Sequence, residues 1–392
     1  MNAGIDVARI RAATPGCERV AHLNNAGAAL APQSVLDTVV AYLIREADLG
    51  GYEAAEEATD RIEHVYGCVA TMLGAHGDEI ALVESATRAW TTYFSARRFE
   101  PGQRILTHRV EYASNFIPML QAVRRDGVAI DVVPSTPTGE IDVDALREMI
   151  DDRVALVALT HVPSQGGLVN PAAAVGAVTR AAGVPFVLDA CQSAGQLPLD
   201  VEAIGCDALV ATGRKFLRAP RGTGFLYVRR AHMHGLEPEA PDLRGAEWTG
   251  AATYEVRDDA RRFEQWERSV ANVLGLGAAV DLVLELGIGA IAARVMALGA
   301  ELRAALASVD GVVLRDEGRE QCGIVTFTLE GHDVDDVKRA LRAKHVNVWT
   351  IDATTAQLDF GARDLPAVVR ASVHYYNTSE ELEKATTAVR SV

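Results

Sequence analysis

VPFVLDACQSAGQLPLD (184–200) and ALVATGRKFLRAPRGTGFLYVR (208–229) are the two stretches on which the reading of this chain turns. In the first, Phe186, Val187 and Leu188 form a short apolar strand that ends on Asp189. A carboxylate there is costly to bury alone, so it either caps a helix start or answers a buried cation. In the second, a strand ends at Ala211 and Thr212-Gly213-Arg214-Lys215 follows, then a Gly-rich turn and another strand. A lysine just beyond a strand's C-terminal end stands where open α/β sheets bind ligands. Taken alone, it could equally be one of four cations, with Arg214, Arg218 and Arg221, on a solvated turn.

Outward from these segments, short β-rich runs alternate with helical ones. EIALVES, RILTHR, AIDVVP and VALVALTHV are separated by stretches such as ATRAWTTYFSARR, NFIPMLQAVRRDG and DVDALREMI. This alternation over 78–235 predicts an α/β fold with a large, mostly parallel sheet sandwiched by helices. Beyond about 260 the texture changes. A helical region (265–309) precedes CGIVTFTLEG, DVDDVKRALRAK, VNVWT, VRASVHYY and SEELEKATTAVRSV, which read as a small C-terminal α+β domain. The expected partition is an N-terminal segment (1–30) at the active-site edge, a large domain (31–260), and a connecting helix with the small domain (261–392). YEAAEEATDRIEHVYGCVATMLG (52–74) reads as one long amphipathic helix.

Composition narrows the function classes. The 392 residues carry a net charge of −15, which argues against a nucleic-acid partner. Five widely spaced cysteines without a C-x-x-C pair suit a reducing compartment and predict neither disulfide nor structural metal. MNAGIDVARIRAATPG lacks the order of a signal peptide, so a cytoplasmic location is expected. The longest apolar run, 274–293, contains Asp281 and Glu285 and reads as buried helices rather than a membrane span. Gly275-Leu-Gly277 approaches a dinucleotide fingerprint but has no strand before it.

Two further turns fit the same edge of the sheet. Ser85-Ala86-Thr87 lies between a strand and a helix, where backbone N–H groups hold phosphate. Ser164 opens a Ser-Gln-Gly-Gly turn after another strand. A phosphate cradle, a strand-end acid and a strand-end lysine thus follow one another in order. With the pair Asp189-Ala-Cys-Gln192 and Gly213-Arg-Lys215, and with matching segments from HLNNAGAALAP (22–32) to VRASVHYYN (369–377), the chain resembles the class V aminotransferase family of fold-type I pyridoxal phosphate enzymes. Cysteine desulfurases, kynureninases and isopenicillin-N epimerases belong to that family.

The resemblance implies roles by position. Lys215 matches the lysine that holds pyridoxal 5'-phosphate as a Schiff base and later serves as base at Cα. Asp189 matches the partner of the pyridine nitrogen. Gln192 and Ser164 match contacts to the ring hydroxyl; Ala86, Thr87, Thr212 and Arg214 match contacts to the phosphate. Tyr112 falls where desulfurases stack a histidine on the ring. Arg370 matches the arginine that takes the substrate α-carboxylate, and Asn25 looks like a further substrate contact. His374, four residues after Arg370, is a weaker candidate for the pocket. The family's sites lie at a homodimer interface, so Thr249, with Trp248 and the segment 264–267, is expected to reach a neighbour's cofactor.

The departures decide the expected reaction. In VNVWTIDATTAQLDF (346–360), where desulfurases carry their persulfide cysteine, this chain has Thr354 and no cysteine at all. Trp349 replaces an arginine there and makes the substrate pocket more apolar. The expectation is therefore a pyridoxal-phosphate lyase that breaks the C–S bond of an S-substituted cysteine by β-elimination. The chain is also similar to hercynylcysteine sulfoxide lyases and to the cysteine-conjugate enzymes of lincosamide antibiotic biosynthesis. Transamination, epimerisation and decarboxylation-coupled oxidative deamination use the same residues and stay open. A non-catalytic scaffold on this fold would show damage at Lys215 or Asp189, and both are intact.

Overall fold

The structure, a computed structural model, describes residues 4–392. Seven strands build the large sheet: β1 (Ile80–Val83), β2 (Arg104–His108), β3 (Ala129–Val133), β4 (Val154–Thr160), β5 (Phe186–Asp189), β6 (Ala208–Thr212) and β7 (Gly224–Val228). Their order is β1-β7-β6-β5-β4-β2-β3, and only β7 runs opposite to the other six. β5, β6 and β7 are buried along their whole length, because helices cover both faces. The parallel strands all deliver their C-terminal ends to one edge, and the site forms there.

The C-terminal unit is a four-stranded antiparallel sheet of β8 (Val312–Leu314), β9 (Ile324–Leu329), β10 (Trp349–Asp352) and β11 (Ala367–Ser372), ordered β8-β9-β11-β10. Helices 288–307, 334–343 and 379–390 pack with it. The N-terminal segment is strapped to this unit: Ala21–His22 pairs in parallel with Val346–Asn347, and Asn24 bridges to Ser372.

Two helical expectations change. The run over 52–74 breaks at Ala58 into helices 51–57 and 59–73, and Gly74 ends the second in the left-handed region at φ 66°. The region 265–309 resolves into helices 270–286 and 288–307, which meet at 83° at Gly287. No single helix among the described residues is long and apolar enough to cross a membrane. Helix 270–286 lies against helices 33–49 and 59–73. A Cβ on Gly275 would come within 2.7 Å of Pro220 and Val39, so this glycine serves close packing.

Candidate active site

A cavity of about 260 Å³ opens at the C-terminal edge of the large sheet. Thr160, Asp189 and Thr212, the last residues of β4, β5 and β6, line it together with Ser85, Ala86, Thr87, Tyr112, Ser164, Gln192, Arg214 and Lys215. A second cavity of about 320 Å³ shares Tyr112, Ser164, Arg214 and Lys215 with the first and continues to Asn24, Trp349, Ile351, Thr355 and Arg370. The fold thus brings together, from seven separate segments, every expected site residue except Asn25, His374 and the segments expected to serve a neighbour's cofactor, Trp248-Thr249 and 264–267.

The turn carrying Lys215 is not a solvated one. Lys215 is 7% exposed and Arg218 only 1%. Arg218 sits at φ 64° and donates to Leu30 O, Tyr375 Oη and Thr14 Oγ1, which anchors the turn beneath the cavity. Burial pushes the Lys215 ammonium below the usual lysine range; Arg214 and Arg370 act in the same direction, while Asp189 opposes it. Asp189 is held on both oxygens: Asn115 Nδ2 donates to Oδ2 at 2.6 Å and Cys191 N to Oδ1 at 2.8 Å.

Ser85 caps helix 86–95, its hydroxyl accepting from Arg88 N at 3.1 Å. The first-turn N–H groups beside it have no intrahelical acceptor and carry the positive end of the helix dipole. Gly224 at the start of β7 lets this turn approach, since a Cβ there would lie 2.8 Å from Ser85 C. The hydroxyl of Thr212 donates to Thr223 O at 3.2 Å. Arg214 donates to Gly27 O, which ties the N-terminal segment to the cavity wall.

Gln192 Nε2 donates to Ser164 Oγ at 3.0 Å and to Ala26 O at 3.2 Å, while its Oε1, also buried, finds no partner. Arg370 is 4% exposed and meets no carboxylate: Nη1 donates to Ser164 O at 3.0 Å, Nη2 to Asn24 Oδ1 at 3.2 Å, and Nε is unpaired. Burial pulls its guanidinium down to about 10. A buried cation of this kind is uncompensated until an anion arrives.

Three expectations move. Asn25 is fully buried away from the cavity, donating to His22 O and Ser372 O and accepting from Tyr376 Oη; its neighbour Asn24 lines the pocket instead. Alternation along the Ala21–Asn24 segment, bridged to β11, turns the two side chains opposite ways. His374 is also away from the cavity: Nε2 meets Phe216 O at 2.9 Å and Nδ1 accepts from Tyr375 N, so it is a neutral packing residue. Within 264–267, the Glu264 side chain is buried against Tyr66, Arg244 and Arg268, while Trp266 is exposed. Thr249 and Trp248 stand on an exposed hairpin, 246–256, outside the chain's own cavity.

Sequence reasoning passed over Arg221 and Cys191, which line the first cavity, and the buried pair Glu111 and Asn115 behind Asp189. The stretch THRVEYASN showed two polar residues four apart at a helix start, the one signal available for that pair. Far from the cavity, His64, Cys68 and Asp281 bring ligand atoms within 4.8 Å of one another, but His64 and Asp281 already pair at 2.9 Å.

A flat ring with a phosphate on one side, a protonated nitrogen on another and a hydroxyl between them matches this donor set. The helix start would take the phosphate, Asp189 the nitrogen, and the unpartnered Gln192 Oε1 with Ser164 the hydroxyl. The comparisons with known proteins agree. Residues 21–385 match the family model described as aminotransferase class-V. A probable cysteine desulfurase of Xylella fastidiosa (strain Temecula1) is 31% identical, over 99% of this chain and 95% of its own. The apo structure of the Thermococcus onnurineus NA1 cysteine desulfurase superposes with a TM-score of 0.93 at 23% identity, covering 100% of this chain and 99% of that one. The cystine C–S lyase C-DES, solved with its product cysteine persulfide, gives 0.87 at 21% identity over 96% and 99%.

Proposed function

Because the chain belongs to the class V aminotransferase family, with the fold-type I architecture and pyridoxal 5'-phosphate as cofactor, we propose that it is a lyase that cleaves the C–S bond of an S-substituted L-cysteine. The observation that carries this reading is the wall of the second cavity. Trp349, Ile351 and Thr355 line it from β10 and the turn after it, next to the buried Arg370, and none of them is a sulfur acceptor. Thr354, at the position of the expected persulfide cysteine, is exposed. Cys322 is fully buried, and Cys191 on the wall of the first cavity is held as a thiol by burial. Relatives named for C–S chemistry, the cysteine desulfurases and C-DES, support the bond that is broken.

When bound, the cofactor supplies an electron sink for the bonds at Cα. The chain's residues do the rest. Arg370 takes the α-carboxylate through its free face, with Asn24 and Ser164 O fixing the plane of the fork. Asp189 would hold the ring nitrogen positive. Lys215 would hold the cofactor and, once free, take the Cα proton; its depressed proton affinity leaves the amine a free base nearer neutral pH. The Cβ–S bond breaks, sulfur leaves with the electron pair and gains a proton, and water completes release of pyruvate and ammonia. Trp349, half-exposed at the mouth, faces the S-substituent.

The proposal includes a homodimer. Leu36, Val40, Leu43 and Ile44 form an exposed apolar stripe on helix 33–49, and Trp248, Tyr254 and Leu243 are exposed around the hairpin carrying Thr249. The test is a product assay with several S-substituted cysteines, free cysteine and alanine. Stoichiometric thiol and pyruvate from the substituted cysteines supports the reading. Keto acid without thiol, aldehyde, or racemised amino acid as the main product would replace it.

A further inference from the structure

Glu111 is the one buried acid at the site for which the reaction has no use. It is 4% exposed, and four donors converge on it. Thr107 Oγ1 reaches Oε2 at 3.1 Å; Thr160 Oγ1 (2.6 Å), Tyr112 N (2.9 Å) and Asn115 Nδ2 (2.9 Å) reach Oε1. No cation is among them. The same Asn115 Nδ2 donates at 2.6 Å to Asp189 Oδ2. Both hydrogens of the amide are therefore committed, one to each carboxylate. The reversed amide would bring its oxygen against two acids with no hydrogen between them, so the network fixes its sense.

The parts are rigid. Thr107 and Thr160 belong to β2 and β4, neighbouring strands, and Thr160 is in register with Asp189 of β5. Asn115 is 2% exposed in the first turn of helix 113–126. With Asn115 on Oδ2 and Cys191 N on Oδ1, the Asp189 carboxylate cannot rotate, and only its remaining lone pairs face the cavity. Behind it lies a second carboxyl group, one amide away, in a region nearly closed to solvent. There a charge acts over a longer range than at the surface.

We propose that Glu111 and Asn115 are positioning residues that fix the plane of the Asp189 carboxylate and strengthen its hold on the protonated ring nitrogen of the cofactor. Burial pushes the Glu111 carboxyl above the usual range and the Asp189 charge adds to this, while the bonds from Thr160, Asn115 and Tyr112 N oppose it and favour the ionised form.

The proposal rests on Asp189 meeting the ring nitrogen, and the test separates the two. Holoenzyme is loaded with cofactor labelled with ¹⁵N in the ring, and the nitrogen resonance is read in wild type, Asp189→Asn, Glu111→Gln and Asn115→Leu. Asp189→Asn moves the resonance to the unprotonated position; if it does not, the assignment of Asp189 fails and the relay with it. Glu111→Gln and Asn115→Leu move it part of the way. Their kcat falls roughly tenfold for each unit of proton affinity lost at the nitrogen, with KM for the amino acid little changed. A purely structural role lowers Tm and cofactor retention and leaves the resonance where it is. Wild-type resonance in both variants, with Asp189→Asn shifted, overturns the relay alone. Should either variant fail to fold, Thr160→Val decides by the same criterion: it removes one donor to Glu111 and spares both bonds of Asp189, and an unmoved resonance overturns the proposal.

Discussion

Glu264 and Arg370 are both buried charges of this chain, and their surroundings are opposites. Glu264 is closed: Tyr66 Oη, Arg244 Nε, Arg268 Nη1 and Leu82 N all donate to it within 3.1 Å. The pairing pushes the Arg244 guanidinium above its usual range despite its burial. Arg370 is open: it has two neutral acceptors, an unpaired Nε and a cavity, and its guanidinium is pulled down. Burial acts the same way on both cations. The sign of the net shift is set by whether an acid has been built beside them. A charge whose partner belongs to the fold holds the fold together; a charge whose partner is missing waits for a ligand.

Lys215 belongs to the open set, and its loss is the largest effect expected. Lys215→Ala should lower thiol release by at least about 10²-fold in steady-state assays, with Tm of the apoprotein unchanged or raised, since a buried cation has gone. Full activity would remove it as the base. Arg370→Ala should cut kcat/KM for amino acids by roughly 10- to 100-fold, the worth of a charge-assisted pair, mostly through KM, again without loss of apoprotein stability. Arg370→Lys should recover part of it, having charge without the fork. Glu264→Ala should do the reverse: about 3 kcal/mol lost in denaturant unfolding, because two part-buried arginines lose their buried partner, with kcat kept in the protein that stays folded. If Arg370→Ala destabilises as much as Glu264→Ala, the contrast between open and closed charges fails.

A smaller effect lies in pH dependence. Lys215 is active as the free amine, which exists above its pKa. Burial lowers that pKa, and the charges of Arg214 and Arg370 lower it further, so the active form appears at lower pH than for an ordinary lysine. Arg214→Gln should raise the pKa and move the rising limb of the kcat profile to higher pH; movement to lower pH would show that another group titrates. The smallest effect expected is none: after turnover with free cysteine, thiol labelling should find no persulfide on Cys191 or Cys322. A persulfide on Cys191 would make the closed cavity wall a sulfur acceptor.

How much was legible beforehand depends on the range of the contacts. Strands such as Phe186–Asp189 and Ala208–Thr212 are continuous apolar runs ending in polar residues, so their edges were visible locally, and with them Asp189, Lys215 and Ser85. The burial of Arg218 was invisible, because its partners Thr14, Leu30 and Tyr375 lie far from it in sequence. Asn24 and Asn25 are adjacent and chemically identical; only the bridge from Asn24 to Ser372 determines which of them faces Arg370.

The sequence by itself determined the α/β class, the strand-end lysine and acid, the helix start for a phosphate and the missing cysteine in 346–360. These follow from periodicity and residue type over a few neighbouring positions. The tertiary structure decided which charges are open and which are closed. It closed Glu264, left Arg370 without an acid, and set Glu111 and Asn115 behind Asp189. The reason is physical: a charge's state depends on solvent exclusion and on the acids and donors within a few ångströms, and around Arg370 those come from segments more than a hundred residues away, Ser164 and Asn24.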